Sequence, residues 1–328
     1  MIDPGPSDAR RVVVATHGHC FDGAACAAVF TRMLTAIEHP PLAFSYKACT
    51  YGPGPVVIDP SVLDGDINAL LDFRYTTCPG LDWYFDHHKT AFATANELQH
   101  FLGDSTGRRF YDPCCGSCTR LVADVARDRF GFHDPSLDDL VSWADRIDAA
   151  RFDSADQALR RDLPSLQIMT VVAHKGDGPF LAKLVPMLAS RSLDDIAASP
   201  IVREPWRMLA RKLDALVARI REHSSRAGCV VLTDLSDAVS EIVGKYVPYA
   251  LFPDLPYSVV LSRSRTCIKI SVGFNPWSPV PRRHDISAIC ERHGGGGHPV
   301  VGAIAFPLDQ LPRARDVAQA IVRELDDG

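Results

Sequence analysis

The chain lacks any apolar run long enough to cross a bilayer. The longest, Val12–Ala15 and Val300–Phe306, fall far short of the roughly 20 residues that a spanning helix needs. It also lacks a positive balance: 35 Lys and Arg face 40 Asp and Glu, for a net charge of −5. No global basic field therefore marks it as a binder of long duplex nucleic acid. The opening residues MIDPGPSDARR carry no apolar core behind their charges, so no secretory signal is expected there. Ten cysteines are present but without framework spacing, so reduced thiols and a cytoplasmic protein are expected. Cys115-x₂-Cys118 has no second pair to complete a zinc site, and Cys114–Cys118 reads instead as the start of a packed helix. Internal repeats and low-complexity tracts are missing too.

What is present is material for two domains in 328 residues, with 46% hydrophobic residues to fill their cores. Arg11–Thr16 (RVVVAT) is a continuous β-branched run, as expected of a strand buried on both faces. A helical pattern follows from Gly23 to about Ala36. Further strands are expected over Asn68–Leu71 and Asp82–Phe85, and helices over Ser117–Phe130 and Leu137–Ile147. Strands alternating with helices predict an α/β domain with a mostly parallel sheet flanked by helices, over residues 1–190. Residues 191–224 read as a charged, amphipathic helical connector. Residues 225–328 read as a second, smaller α+β domain, with short strands, a helix over Ile286–Arg292 and a strand within Val300–Phe306.

Polar residues collect where the strands of the first domain end. His17, His19 and Asp22 follow the first strand, Asp72 ends another, and Asp86-His87-His88 ends a third. In an open parallel sheet the carboxyl ends of the strands form the ligand crevice, so these residues would converge. Taken singly, each has an ordinary explanation, because Asp and His favour caps and turns. Taken together, imidazole and carboxylate donors without paired thiolates suit Mn²⁺ first, then Mg²⁺, Fe²⁺ or Zn²⁺. A shared carboxylate could hold two such ions, as metal-assisted phosphoryl hydrolysis often requires.

A second signal is the run Gly294-Gly295-Gly296-Gly297-His298-Pro299. Four glycines are costly in conformational entropy, so an ordered use calls for close backbone approach or positive φ. Successive exposed N–H groups form an anion cradle, and His298 adds a donor. Gly295, Gly296, Gly297 and His298 are therefore candidate phosphate contacts. Arg263 and Arg265, at the end of a neighbouring strand, could add to them.

With these residues in view, the chain resembles the DHH–DHHA1 phosphoesterases over most of its length. His17…Asp22-Gly23 resembles the first motif of that family, Leu71-Asp72-Phe73 the second, Phe85-Asp86-His87-His88-Lys89 the name-giving third and Trp143-Ala144-Asp145 the fourth. Ser271-Val272 through Asn275-Pro276-Trp277, followed by Gly294–His298, resemble its substrate-binding module. The resemblance implies two divalent metal ions. His17 and Asp72 would hold one, Asp72 would bridge to the other, and Asp22, His87 and Asp145 would complete the second site. Asp86 would orient a histidine from behind the ligands. His88 would touch the scissile phosphate, and metal-activated hydroxide would attack phosphorus. The glycine run and His298 would grip the rest of the substrate.

One departure stands out. The family's first motif supplies a His and two Asp, whereas HGHCFDG supplies one Asp, and His19 is expected in place of the missing carboxylate. Asp148 competes with Asp145 for the fourth-motif role. The leading expectation is hydrolysis of phosphodiester bonds in short nucleotides, oligoribonucleotides or linear dinucleotides. An exopolyphosphatase or bisphosphate-nucleotide phosphomonoesterase is the alternative. A nucleotide-binding sensor of weakened catalysis is a third reading, motivated by the altered first motif. No membrane partner and no long duplex are expected, and the oligomeric state is open, a homodimer included.

Overall fold

A computed structural model describes residues 9–39, 41–51, 58–239 and 244–327. The N-terminal residues 1–8, on which the reading of a missing signal rests, lie outside this set. The chain divides into two compact units, one of Met1–Arg151 with Arg161–Trp206 and one of Phe152–Arg160 with Arg207–Gly328.

The first unit is built on a five-stranded parallel sheet. Its strands are β1 (Arg10–His17), β2 (Leu42–Cys49), β3 (Ile67–Leu71), β4 (Trp83–Asp86) and β5 (Arg109–Tyr111), in the order β2-β1-β3-β4-β5. The helices of this unit are α1 (Phe21–Ile37), α2 (Ala95–Leu102), α3 (Cys118–Phe130) and α4 (Asp138–Asp148). After a short α5 (Ala155–Ala158), which belongs to the second unit, come α6 (Pro164–Lys175), α7 (Gly178–Leu188) and α8 (Leu193–Ala198). The apolar strand runs are continuous because successive side chains feed cores on opposite faces. On β4, Trp83 and Phe85 meet Phe30 of α1, with ring centroids 5.7 and 6.1 Å away, whereas Tyr84 between them meets Tyr75 at 4.8 Å.

The strand order reverses direction between β1 and β3, and such a switch point opens a crevice at the carboxyl ends of those two strands. Helix α1 starts hard against the end of β1: a Cβ on Gly23 would lie 2.4 Å from the His17 carbonyl oxygen, so only glycine fits. Ser117 caps α3 by accepting from the Arg120 N–H, which sets the boundary expected there.

The second unit carries a six-stranded mixed sheet. Helix α9 (Pro200–Glu222) leads into β6 (Ser224–Ala227) and β7 (Val230–Val239), then α10 (Val247–Leu251), β8 (Tyr257–Arg263) and β9 (Ile268–Phe274). Helix α11 (Ile286–Arg292), strands β10 (Gly296–His298) and β11 (Val301–Phe306), and α12 (Leu311–Asp326) complete it. The order is β10-β11-β9-β8-β7-β6, with only β7 and β8 parallel. Ala314, Ala318, Ile321, Val322 and Leu325 form one apolar stripe on α12 and join the buried core with Val259, Ile270 and Ile304.

One expected feature differs. The connector is not one helix: Ser199 ends α8 in an extended conformation, and Pro200 starts α9, because a residue before proline is pushed out of helical geometry. Among the described residues no helix is long and apolar enough to cross a membrane.

Candidate active site and metal centre

The switch-point crevice collects the polar residues at the strand ends. Asp72 follows β3 with φ 55°, a strained conformation for a non-glycine residue, and its N–H donates to the Phe85 carbonyl at 2.9 Å. That turn aims a carboxylate with 1% exposure at the histidines. Its Oδ2 lies 3.6 Å from His17 Nδ1, and its Oδ1 lies 3.6 Å from His87 Nε2 and 3.8 Å from His88 Nδ1. Each oxygen thus faces a different imidazole.

His87 is oriented from behind. Its Nδ1 lies 3.2 Å from the Cys115 carbonyl, which can only accept, so the proton sits on Nδ1 and Nε2 is left as the donor atom for a cation. Nε2 faces Asp148 Oδ2 at 3.3 Å and Asp22 Oδ2 at 3.8 Å besides Asp72. Asp22 is itself held at the first turn of α3, accepting from the Cys118 N–H at 2.6 Å and the Thr119 N–H at 2.9 Å.

Asp86 is fully buried and acts on His88 rather than His87. Its Oδ1 accepts from His88 Nδ1 at 2.7 Å and from the backbone N–H groups of His87 and His88 at 2.9 and 3.3 Å. Its Oδ2 accepts from the Tyr84 hydroxyl at 3.1 Å. With Nδ1 so engaged, His88 has only Nε2 to offer outward, and the Asp86 bond raises its pKa, favouring the imidazolium.

The charges are strongly interdependent. Burial raises Asp22 well above the ordinary carboxylate range, with Asp72 and Asp148 adding repulsion. Burial and then Asp72 push Asp148 up to about 6. Burial alone would raise Asp72, but His17, His87 and His88 outweigh it and hold it at about 2. His87 is pulled down by burial and pushed up by Asp72, Asp22 and Asp148, reaching about 9.

Among the described residues there are three groups whose donor atoms lie within 4.8 Å of one another: His17, Cys20 and Asp72; Asp72, His87 and His88; Asp22, His87 and Asp148. Four atoms in them, His17 Nδ1, both Asp72 carboxylate oxygens and His87 Nε2, are buried with no hydrogen-bond partner. Imidazoles at 3.6–3.8 Å offset only part of what it costs to bury the Asp72 carboxylate without hydrogen bonds. A divalent cation removes that cost, and a nitrogen and oxygen donor set of this kind fits one. Asp72 belongs to two groups, so it is placed to serve two cations.

The sequence-expected residues divide. His17, Asp22, Asp72 and His87 come together as expected, with His88 beside them. Asp145 stands apart: its carboxylate pairs with Arg151 at 3.1 Å, and Asp148, one helical step further along α4, takes the place beside His87. His19 is exposed and belongs to none of the three groups. Its φ of 58° and the bond from its N–H to the Gly176 carbonyl reverse the chain, so Cys20 is the residue that enters the site. In the sequence Cys20 is inconspicuous, because the neighbouring imidazole of His19 is the more obvious substitute for a carboxylate. Neither Cys114, Cys115 nor Cys118 joins a donor group among the described residues.

In the second unit the glycine run is a hairpin arm rather than an open loop. Gly296, Gly297 and His298 pair with Ala303, Gly302 and Val301. A Cβ on Gly295 would meet the Ala303 carbonyl oxygen at 2.2 Å, and one on Gly297 the Val301 carbonyl oxygen at 2.2 Å, so packing alone demands these two glycines. Gly296 differs: a Cβ there meets nothing within 4 Å. Arg263 and Arg265 do not share a phosphate with His298. The register aligns His298 with Ser258 of β8, five residues before Arg263, which is about 17 Å along the strand and about 14 Å across the sheet. Asn275 is buried and donates to the Pro253 and Leu255 carbonyls, and Trp277 donates to the Phe152 carbonyl, so both brace the unit.

No family model matches the sequence, and no curated protein matches it either. Solved structures do match in fold. A pGpG-specific phosphodiesterase, PggH from Vibrio cholerae, is 17% identical, with 97% of this chain and 99% of that one covered at a TM-score of 0.69. The DHH domain of a member of the s1p family of ribosomal proteins is 13% identical, covering 96% and 87%, with a TM-score of 0.58. RecJ from Thermus thermophilus in complex with Mn²⁺ is 14% identical, covering 96% of this chain and 52% of that one, with a TM-score of 0.55. The chain has the fold of the DHH-family phosphoesterases, a parallel sheet flanked by helices followed by a mixed-sheet unit.

Proposed function

We propose that the chain is a divalent-metal-dependent phosphoesterase that hydrolyses the phosphodiester bond of short nucleotides, linear dinucleotides foremost. The observation that carries this reading is the group of four buried, unpartnered donor atoms on His17, Asp72 and His87, gathered at the switch point of the sheet. Two cations held by His17 and Asp72, and by Asp72, Asp22, His87 and Asp148, would neutralise phosphoryl charge and activate water.

The protein's own groups do the rest. Asp72 ties the two halves of the site through its separate oxygens. The Cys115 carbonyl keeps the lone pair of His87 turned inward. His88, whose imidazolium the Asp86 bond favours, would present Nε2–H to a phosphoryl oxygen and stabilise charge that grows there in the transition state. Gly296, which the hairpin does not require, leaves a stretch of backbone open to a substrate phosphate. The substrate class is supported by the likeness in fold to a pGpG-specific phosphodiesterase over nearly the whole of both chains.

The test is product release in the presence of Mn²⁺ from pGpG, di- to pentaribonucleotides, a cyclic dinucleotide, a 3′,5′-bisphosphate nucleotide and polyphosphate. Mononucleotide from the linear diesters, absent in Asp72→Asn, is the expected result. Turnover of polyphosphate or the bisphosphate alone would refute the diesterase reading, and binding without turnover of any of them would refute the enzyme.

A further inference from the structure

Cys20 is the donor that the metal site does not owe to carboxylate or imidazole. It precedes α1, and its position is built rather than incidental. The Gly18 N–H donates to the Cys49 carbonyl at 2.7 Å, the His19 N–H to the Gly176 carbonyl at 2.9 Å, and His19 takes a left-handed φ between them. A Cβ on Gly176 would meet the His19 nitrogen at 2.7 Å, so the turn is pressed onto the end of α6. The result is a sulfur within 4.8 Å of donor atoms of His17 and Asp72. A lone cysteine facing a cleft would mean little. Here the sulfur faces a carboxylate of 1% exposure whose two oxygens have no hydrogen-bond partner, beside an imidazole nitrogen in the same state.

We propose that Cys20 binds the cation held by His17 and Asp72 as a thiolate, and that this site thereby selects a thiophilic divalent ion, Zn²⁺, Co²⁺ or Fe²⁺, over Mg²⁺. The proposal rests on the metal-dependent reading above. The chemistry follows from donor softness: Mg²⁺ demands hard oxygen ligands in near-ideal octahedral geometry, whereas a thiolate with an imidazole and a carboxylate suits the later first-row ions. The second site, with Asp22, His87 and Asp148, has no sulfur and keeps the preference of an oxygen and nitrogen set. The two positions would then differ in the ions they take, with Asp72 shared between them.

The experiment is Co²⁺ titration of the metal-free full chain, followed by absorption spectroscopy and calorimetry. A thiolate-to-Co²⁺ charge-transfer band in the near ultraviolet is expected in wild type, retained in Cys114→Ser and Cys115→Ser and lost in Cys20→Ser. Cys20→Asp should shift binding at this site away from Zn²⁺ towards Mn²⁺ and Mg²⁺. X-ray absorption of the wild-type Co²⁺ form gives an answer even if the variants do not fold, since a first-shell sulfur at about 2.3 Å is expected. Co²⁺ binding without sulfur in the first shell, or a band that survives Cys20→Ser, would overturn the proposal and leave the phosphoesterase reading intact. Absence of divalent binding would overturn both. A Cys20-dependent band without turnover of any phosphoester would uphold the ligand and refute only the function.

Discussion

Replacing Asp86 by Asn isolates what the buried carboxylate does for His88. The side chain is isosteric, and its remaining oxygen still accepts from His88 Nδ1 and from the His87 and His88 backbone N–H groups. The new amide faces the Tyr84 hydroxyl, which can accept as readily as it donates, so the fold should survive. What disappears is charge. Hydrogen bonds to ionised groups contribute about 1.5–3 kcal/mol and neutral ones about 0.5–1.5, so the loss at His88 is about 1–1.5 kcal/mol, a factor of about ten. The His88 pKa should drop towards the ordinary value, because the Asp86 bond is the main cause that raises it. If the imidazolium holds the phosphate, kcat falls about tenfold and its alkaline limb moves to lower pH. The assay is the pH–rate profile of dinucleotide hydrolysis at saturating metal. A variant whose profile superimposes on that of wild type would refute the role given to His88.

Asp148→Asn should abolish binding of one of two cations, whereas Asp145→Asn should keep both, as counted by calorimetry. Gly296→Val should raise KM with unchanged Tm because its Cβ meets open space. Gly295→Val should instead lower stability by about 1–3 kcal/mol through its clash with the Ala303 carbonyl, as read by denaturant unfolding. The metal-free site favours protons. The stability gained from His87 is present below pH 6.5 and lost as pH rises through about 9, and that from Asp148 is lost as pH rises from 3.8 through about 6. Cations replace those protons, so the rise in Tm on adding Mn²⁺ should be larger at pH 8 than at pH 6, and the reverse order would contradict the charge balance.

In the first unit β1, β3 and β4 are legible because each is largely apolar and runs into His or Asp, a pattern that places both strand and crevice. Strand β2, by contrast, went unread: LAFSYKAC mixes polar and apolar residues, and its half-exposed face gives no clear period. At the site, Asp72 and His87 could be read from their places at strand ends. The choice between Asp145 and Asp148 could not, since both lie on α4 and only the helix's rotation decides which one faces His87. His19 and Cys20 are separated by the same kind of detail, a single left-handed residue that no local propensity announces for histidine. Glycine opposes strand formation, so nothing local in Gly294–Gly297 announces a hairpin arm. In the hairpin the absent side chains let the Ala303 and Val301 carbonyls approach, which is a tertiary demand invisible in one segment.

In the proposed centre His17, Asp22, Asp72, His87 and Asp148 hold a pair of divalent cations with Asp72 between them. Anomalous diffraction from crystals grown with Co²⁺, an ion that accepts nitrogen, oxygen and sulfur donors, tests it most directly. Two anomalous peaks are expected, each within bonding distance of a different Asp72 oxygen, one beside His17 and the other beside His87 and Asp148. No peak at Asp72, or a single one held by Asp145 and away from His87, would contradict it.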